Sequence, residues 1–367
     1  MSSINAAASF FVAVELDGDG AHPAAWRAAD HTPAELLTAR RVRNTVDAAE
    51  RYGFSAATFA GSVLPPTAGQ NILGRLDPVQ LAAFAAPLTR SLGLVPIIDA
   101  LHNEPFHVAT QLASLDHASD GRAGWLVSAP SDAAAAATVG AAPITDREQR
   151  LAETVDAIEV ARRLWDSWED DAVIRDVATG RYLDRDKLHH INFEGQRYSI
   201  TGPAIVPRPP QGQLPVFAAV GDAVPGLADV VLVSAPDLHS ARASAEDARS
   251  NGAAKVVLDV EIALDTQGRS ATDRIDWLNS HTPWPSSGRL RILGSVAQLV
   301  EVLTELSTFS DGVRLLPAVL DLDVAELGST VLPALAEAGI HRRPAAGDTL
   351  RATLGLPIAK NRYAPHE

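Results

Sequence analysis

The sequence predicts an α/β protein built as an eight-stranded (β/α)₈ barrel, and three observations carry that reading. Eight short runs rich in Val, Ile, Leu and Ala are apolar nearly throughout, the pattern of parallel strands buried on both faces. Segments with helical spacing and clear start signals lie between them, and strand–helix alternation along a whole chain implies parallel pairing with crossovers. The chain has 367 residues, 46% of them hydrophobic, which suits one barrel with its own core. An open doubly wound sheet is the alternative architecture; eight strands favour closure. No repeat of 20–50 residues and no flexible linker divides the chain, so residues 1–367 are expected to form a single domain.

The strand runs fall at residues 10–16, 55–60, 92–98, 122–128, 214–220, 229–234, 255–263 and 312–316. A weaker ninth run, 289–293, is expected to be an accessory strand. Thr32-Pro33-Ala34-Glu35 sets a hydroxyl cap, a first-turn Pro and a capping-box Glu in order, predicting a helix that runs to Tyr52 and stops at Gly53. Asp77-Pro78-Val79-Gln80 repeats the device. Thr145-Asp146-Arg147-Glu148 opens a long helix with Leu151, Val155, Ile158, Arg162 and Trp165 at helical spacing. Residues 295–306 and 324–338 are later helices. Residues 170–213 and 265–290 are polar, with Gly and Pro, and read as irregular insertions. Only Gly221 to Ala228 separates the fifth and sixth strands, whereas a parallel crossover normally takes a dozen or more residues and a helix. The helix after the fifth strand is therefore expected to be shortened or missing.

Composition narrows the function classes. A formal net charge of −14 argues against nucleic acid and against an anionic membrane surface as partners. With no cysteine, disulfides, thiolate nucleophiles and Cys-ligated metals are excluded. No basic segment precedes the apolar run at 10–14, and the Ala/Gly-rich stretch 133–144 is well short of a membrane span. The expected location is the cytoplasm.

Most strong catalytic motifs are absent: no GxGxxG, P-loop, HExxH or GxSxG occurs. Gly18-Asp19-Gly20 reads as a turn after the first strand. His102 and His107 flank Asn103-Glu104-Pro105 just past the third strand, at the barrel rim where catalysis concentrates, and are the catalytic candidates. A metal-dependent hydrolase built on them would need a further carboxylate. His189-His190 reads as an exposed pair, because adjacent residues do not share a face. The charges of 116–122 precede the fourth strand, at the stability end of a barrel, and read as structural. Trp125, Trp165, Trp168, Trp277 and Trp284 read as core. Trp168-Glu169-Asp170-Asp171 reads as a solvated helix end, frayed because carboxylates are misplaced at a helix C-terminus.

From Ala113 through Asp116-His117-Ala118-Ser119-Asp120-Gly121-Arg122 to Trp125 the sequence resembles the bacterial-luciferase-like flavin monooxygenases, in particular the nitrilotriacetate, pristinamycin IIA and dibenzothiophene-sulfone monooxygenase group. The stretch Arg163-Leu164-Trp165-Asp166-Ser167-Trp168 agrees, followed by Asp184 to His189 and Phe193-Glu194-Gly195. So do Pro207-Arg208-Pro209-Pro210-Gln211-Gly212 after Gly202-Pro203, and Thr349-Leu350-Arg351-Ala352-Thr353-Leu354-Gly355-Leu356-Pro357. The resemblance implies a luciferase-like barrel with insertions and a two-component monooxygenase. Such an enzyme takes reduced FMN from a separate flavin reductase and oxidises a small organic substrate with O₂. It also implies a homodimer.

Carried over position by position, the resemblance places the flavin contacts at Gly61, Asp99, Leu126, Arg147, Leu151 and the loop Gly221-Asp222-Ala223. At most of them the residue type differs from the group's. Gly61 stands for an Asp, Ile97-Ile98-Asp99-Ala100-Leu101 for a Thr-rich segment, and Leu126 for an Asn. Arg147 and Leu151 lie where a His and a Tyr are usual. Ala219-Val220-Gly221-Asp222-Ala223 replaces a Gln-Ala-Gly-x-Ser phosphate loop. A phosphate favours hydroxyls, free N–H groups and a helix N-terminus; the Asp222 carboxylate opposes one, while Arg147 offers a new partner. Two readings follow: an FMN-dependent monooxygenase, or a divergent barrel without flavin that acts as a non-catalytic partner subunit or a small-molecule binding protein.

Overall fold

In the computed structural model, residues 9–64, 73–222, 226–266 and 268–364 are described. The elements run β1 (Phe11–Glu15), α1 (Ala39–Tyr52), β2 (Ala56–Phe59), α2 (Pro78–Ala85), β3 (Gly93–Asp99), α3 (Pro105–Ala118), β4 (Trp125–Ser128), α4 (Ala133–Thr138) and α5 (Arg147–Asp166). Two small hairpins follow, β5 (Val173–Asp176) with β6 (Arg181–Leu183) and β7 (Phe193–Glu194) with β8 (Ser199–Ile200). Then come β9 (Val216–Ala219), β10 (Val230–Val233), α6 (Leu238–Ser250), β11 (Lys255–Leu264), α7 (Ala271–Asn279), β12 (Leu290–Gly294), α8 (Val296–Leu306), β13 (Gly312–Pro317), α9 (Leu320–Glu326), α10 (Leu332–Glu337) and α11 (Leu350–Thr353).

Eight strands pair in parallel in the order β1, β2, β3, β4, β9, β10, β11, β13, and β13 returns to β1, so the barrel is closed as expected. The accessory strand is real: β12 pairs with the upper half of β11, Val260 to Leu264, above the stretch Lys255 to Leu258 that β10 occupies. Side chains alternate in and out along each strand. Phe11, Ala13, Ala56, Val95, Leu126, Phe217, Leu232 and Val257 fill the interior, while Val12, Val14 and Leu94 face the surrounding helices. From below, α11 closes the floor by adding Leu350 and Leu354 to the interior cluster. A Cβ at Gly93 or Gly124 would stand 2.7 or 2.8 Å from the Leu350 side chain, so a larger residue at either position would push Leu350 aside.

The charges of 116–122 are structural, as their position predicts. Arg122 is buried and donates to Thr89 Oγ1 and to the carbonyls of Ala86, Thr89 and Leu92. Asp116 is fully buried and accepts from Ala123 N and from Gln211.

Several local expectations change. The helix predicted from Thr32 to Tyr52 is broken: the capping box at Thr32 starts only a 3₁₀ turn, Pro33–Leu37, and Thr38 caps α1 afresh by accepting from Arg41 N. The helix predicted at 324–338 begins earlier, at Leu320, and contains a π-helical stretch, Leu327–Val331. Residues 265–290 are not wholly irregular, since α7 lies within them. The acidic run after α5 is not frayed: Trp168 is buried and donates to Ala204 O, Asp170 pairs with Arg208 and Asp171 with Lys187. Trp277 is 39% exposed rather than core. Residues 220–229 alone link β9 to β10, with no helix among the described ones.

Candidate functional site

The carboxyl ends of the barrel strands form a rim, and the rim carries the positions singled out from the sequence. Asp99 ends β3; its Oδ1 accepts from Leu101 N at 2.7 Å and its Oδ2 lies 2.5 Å from His102 Nδ1. The His102 side chain is 4% exposed. Asn103 Nδ2 donates to Asp99 O at 2.8 Å. These bonds make a self-contained turn. His107 is not part of it. It lies exposed in the first turn of α3, with its backbone N–H on Glu104 Oε2 at 2.7 Å. Among the described residues no group of three or more His, Asp or Glu is placed to hold a metal ion, so the hydrolase alternative gains no support.

The carried-over flavin positions are apolar, glycine or already partnered. A Cβ at Gly61 would stand 2.7 Å from Pro78 Cγ and 2.9 Å from Ile97 O, so close packing holds that site to glycine. Leu126 is buried among Val95, Phe217 and Leu232 inside the barrel. Leu151 is half-buried on the second turn of α5. Arg147 opens α5 and donates through Nη2 to Gly221 O at 3.2 Å. Arg150, one turn on, donates to Thr145 O at 2.6 Å. Asp222 closes a turn through its N–H on Ala219 O; burial raises its carboxyl pKa, and Arg150 and Arg147 oppose that rise. Ala223 lies outside the described residues.

Six charged residues that belong to no recognised motif, joined by Ser287, pair with one another at the mouth. Arg314 on β13 donates through Nε to Asp259 Oδ1 at 2.8 Å, through Nη2 to Asp259 Oδ2 at 2.6 Å, and through Nη1 to Glu15 Oε2 at 3.0 Å. Arg289 reaches Asp259 Oδ2 at 3.3 Å, and Arg291 reaches Glu261 Oε2 at 2.7 Å through Nη2. Ser287 donates to Glu261 Oε1 at 2.6 Å. Asp259, Glu261 and Arg314 are buried. Burial alone would lower the Arg314 pKa, but Asp259 and Glu15 drive it above its ordinary value. Burial raises the Glu15 pKa, opposed by Arg314. A signal for these residues does exist: Asp259 with Glu261, and Arg289 with Arg291, are charges two apart in otherwise apolar runs, the spacing that puts both on one face of a strand.

The charged groups at the mouth are already paired with one another. The described rim offers no row of free hydroxyls, and among the described residues no helix lies between β9 and β10. The interior below holds a void about the size of one water molecule, bordered by Thr58, Phe217 and Arg314. A larger cleft, about 920 Å³ counted to its open side, lies beside the barrel between the loop after β1 and α1. Leu16, Trp26 and Phe59 line it. Polar walls come from Asp17 with Arg75 (3.0 Å) and from Asp19, whose carboxylate lies 2.8 Å from His31 outside the cleft.

Comparison with known proteins identifies the family. The chain is 27% identical over 430 aligned positions to N-acetyl-S-(2-succino)cysteine monooxygenase of Bacillus subtilis, covering 96% of this chain and 97% of the relative. It is 31% identical over 219 positions to dibenzothiophene-sulfone monooxygenase of Rhodococcus erythropolis, covering 56% of this chain and 48% of that one. Among solved structures, a riboflavin lyase with modified FMN and riboflavin superposes with a TM-score of 0.83 over 95% of this chain and 96% of that chain; at 21% identity this shows the shared fold. Residues 20–293, well over half of the chain, match the luciferase-like monooxygenase family, and the chain belongs to that family.

Proposed function

We propose that this chain serves a two-component, FMN-dependent monooxygenase that oxidises a small organic substrate with O₂, the reduced FMN coming from a separate flavin reductase. The observation that carries the reading is the family match over 20–293, joined to alignment along nearly the whole length with a relative that is a monooxygenase. The cleft beside the barrel, with apolar lining and the Asp17–Arg75 pair and Asp19 on its walls, suits a small organic molecule. A homodimer in the cytoplasm is the working form in this proposal. Among the described residues no helix is long and apolar enough to cross a membrane.

A second reading, a barrel without its own flavin that acts as a non-catalytic partner subunit or a small-molecule binding protein, is favoured by one observation: balanced ion pairs fill the mouth. A part in oxygen transfer, as the catalytic chain or as a partner subunit, has one test. The assembly containing this chain is isolated under mild conditions and given reductase, NADH, FMN, ¹⁸O₂ and candidate organic substrates. Incorporation of ¹⁸O that depends on reduced FMN is the expected result. If no preparation of the chain, alone or in its assembly, transfers oxygen, the monooxygenase proposal falls.

A further inference from the structure

Six charged groups at the barrel mouth form one connected set. Asp259 and Glu261 are neighbours on the inner face of β11, and Arg314 sits beside Asp259 in the register of β11 and β13. Glu15 ends β1, the next strand round. Arg289 precedes β12 and Arg291 lies within it, so the insertion after β11 delivers two guanidinium groups onto the barrel's own carboxylates. Three carboxylates meet three guanidinium groups, and the formal charge sums to zero.

We infer that this ion lattice, together with the packed interior beneath it and the altered residues at the carried-over flavin positions, does not fit a flavin ring, and that the chain takes part in oxygen transfer as a subunit that holds no flavin at its own barrel mouth. The inference rests on the proposed monooxygenase role. An isoalloxazine entering the mouth has to disturb the buried Asp259–Arg314 pair, and a carboxylate left alone in such a place is strongly disfavoured. The phosphate end gives no compensation. Arg147 donates to Gly221 O, Asp222 adds a carboxylate, and no helix N-terminus follows β9 among the described residues. The interior beneath is packed with Leu126, Phe217 and Leu232, leaving room for about one water beside the buried Thr58 hydroxyl, which has no protein partner.

The test is a titration of the purified full-length chain, shown to be folded by a cooperative thermal transition. Oxidised FMN, photoreduced FMN and lumiflavin, which carries the ring without the phosphate, are added anaerobically and followed by fluorescence and equilibrium dialysis. No saturable binding of any of the three up to about 1 mM is expected. Saturable binding of FMN or lumiflavin in the micromolar range overturns the inference, while leaving the monooxygenase proposal intact. A second measurement uses the active assembly with an azido-FMN photolabel. Label on another chain supports the inference; label on β1, β11 or β13 of this chain defeats it. An assembly that transfers no oxygen removes the monooxygenase role instead, whatever the titration shows.

Discussion

Gln211 donates through Nε2 to Asp116 Oδ1 at 2.7 Å and through its backbone N–H to Asp116 Oδ2 at 3.1 Å, joining residues 95 positions apart at the floor of the barrel. Gln211 Nε2 also reaches Ala123 O at 2.8 Å, and its Oε1 accepts from Arg351 N at 2.8 Å. One side chain thus ties together three of the sequence blocks that made the family recognisable, around 113–125, 207–212 and 349–357. Those blocks build the closed floor, and the mouth at the opposite end is constrained separately.

Replacing Gln211 should therefore be costly. In Gln211→Ala, Asp116 keeps only backbone donors, and Arg351 N and Ala123 O each lose a partner while buried. Three lost bonds, one of them to a carboxylate, predict a loss of roughly 2–5 kcal/mol of stability. Urea unfolding measures it. An unchanged midpoint would show that the floor is not held by this residue.

Asp116 predicts a pH signature. Burial raises its pKa to about 6, and the donors Gln211 and Ala123 only partly oppose this. The folded value lies above the ordinary carboxylate value of about 3.9. Its contribution is therefore most favourable below about pH 4 and is lost as pH rises through about 6. The full swing is of order 3 kcal/mol. Asp116→Asn removes the titration but turns an amide N–H₂ toward partners that are all donors. The variant should be less stable than wild type at pH 4 and show a flatter stability profile between pH 4 and 7. Parallel profiles for the two proteins would refute the assignment.

The barrel was legible because its signals are local. Apolar runs mark strands, and Asp77 and Ser295 cap α2 and α8 as their spacing requires. The break at Thr38 was hidden because Thr32-Pro33-Ala34-Glu35 satisfies every helix-start rule for a turn that then ends. The mouth was harder to read. The bond between Arg314 and Glu15 spans 299 positions and exists only once β13 closes against β1. The sequence shows Asp259, Glu261, Arg289 and Arg291 at strand spacing, yet which carboxylate meets which guanidinium depends on the register of β11 with its neighbours.

Gly328 predicts a steric effect. It lies in the π-helical stretch against Tyr52, and an added Cβ would fall 2.0 Å from the ring's Cγ. Gly328→Ala should cost roughly 1–3 kcal/mol through overpacking. The same change in a Tyr52→Ala background should cost much less, because the obstacle is gone. Equal costs in the two backgrounds, read from thermal melts, would place the effect elsewhere.

The buried pair Arg274–Asp323 joins α7, inside the insertion, to α9. Arg274 Nη2 donates to Asp323 Oδ1 at 2.6 Å and to Leu264 O at 2.7 Å, and Asp323 accepts from Leu264 N and Val319 N. Both side chains are almost wholly buried. Burial raises the Asp323 pKa, and Arg274 opposes the rise. In Arg274→Met the carboxylate remains buried with backbone donors alone, which predicts a loss of about 3–5 kcal/mol. The double variant Arg274→Met with Asp323→Leu removes the stranded charge as well, and should recover part of that loss. The single variant should also regain stability toward acid, because Asp323 is protonated more readily once its cation is gone. High salt should leave the wild-type pair nearly unaffected, since screening acts weakly on buried charges. If the single variant is no less stable than the double one, the pair does not hold the insertion in place.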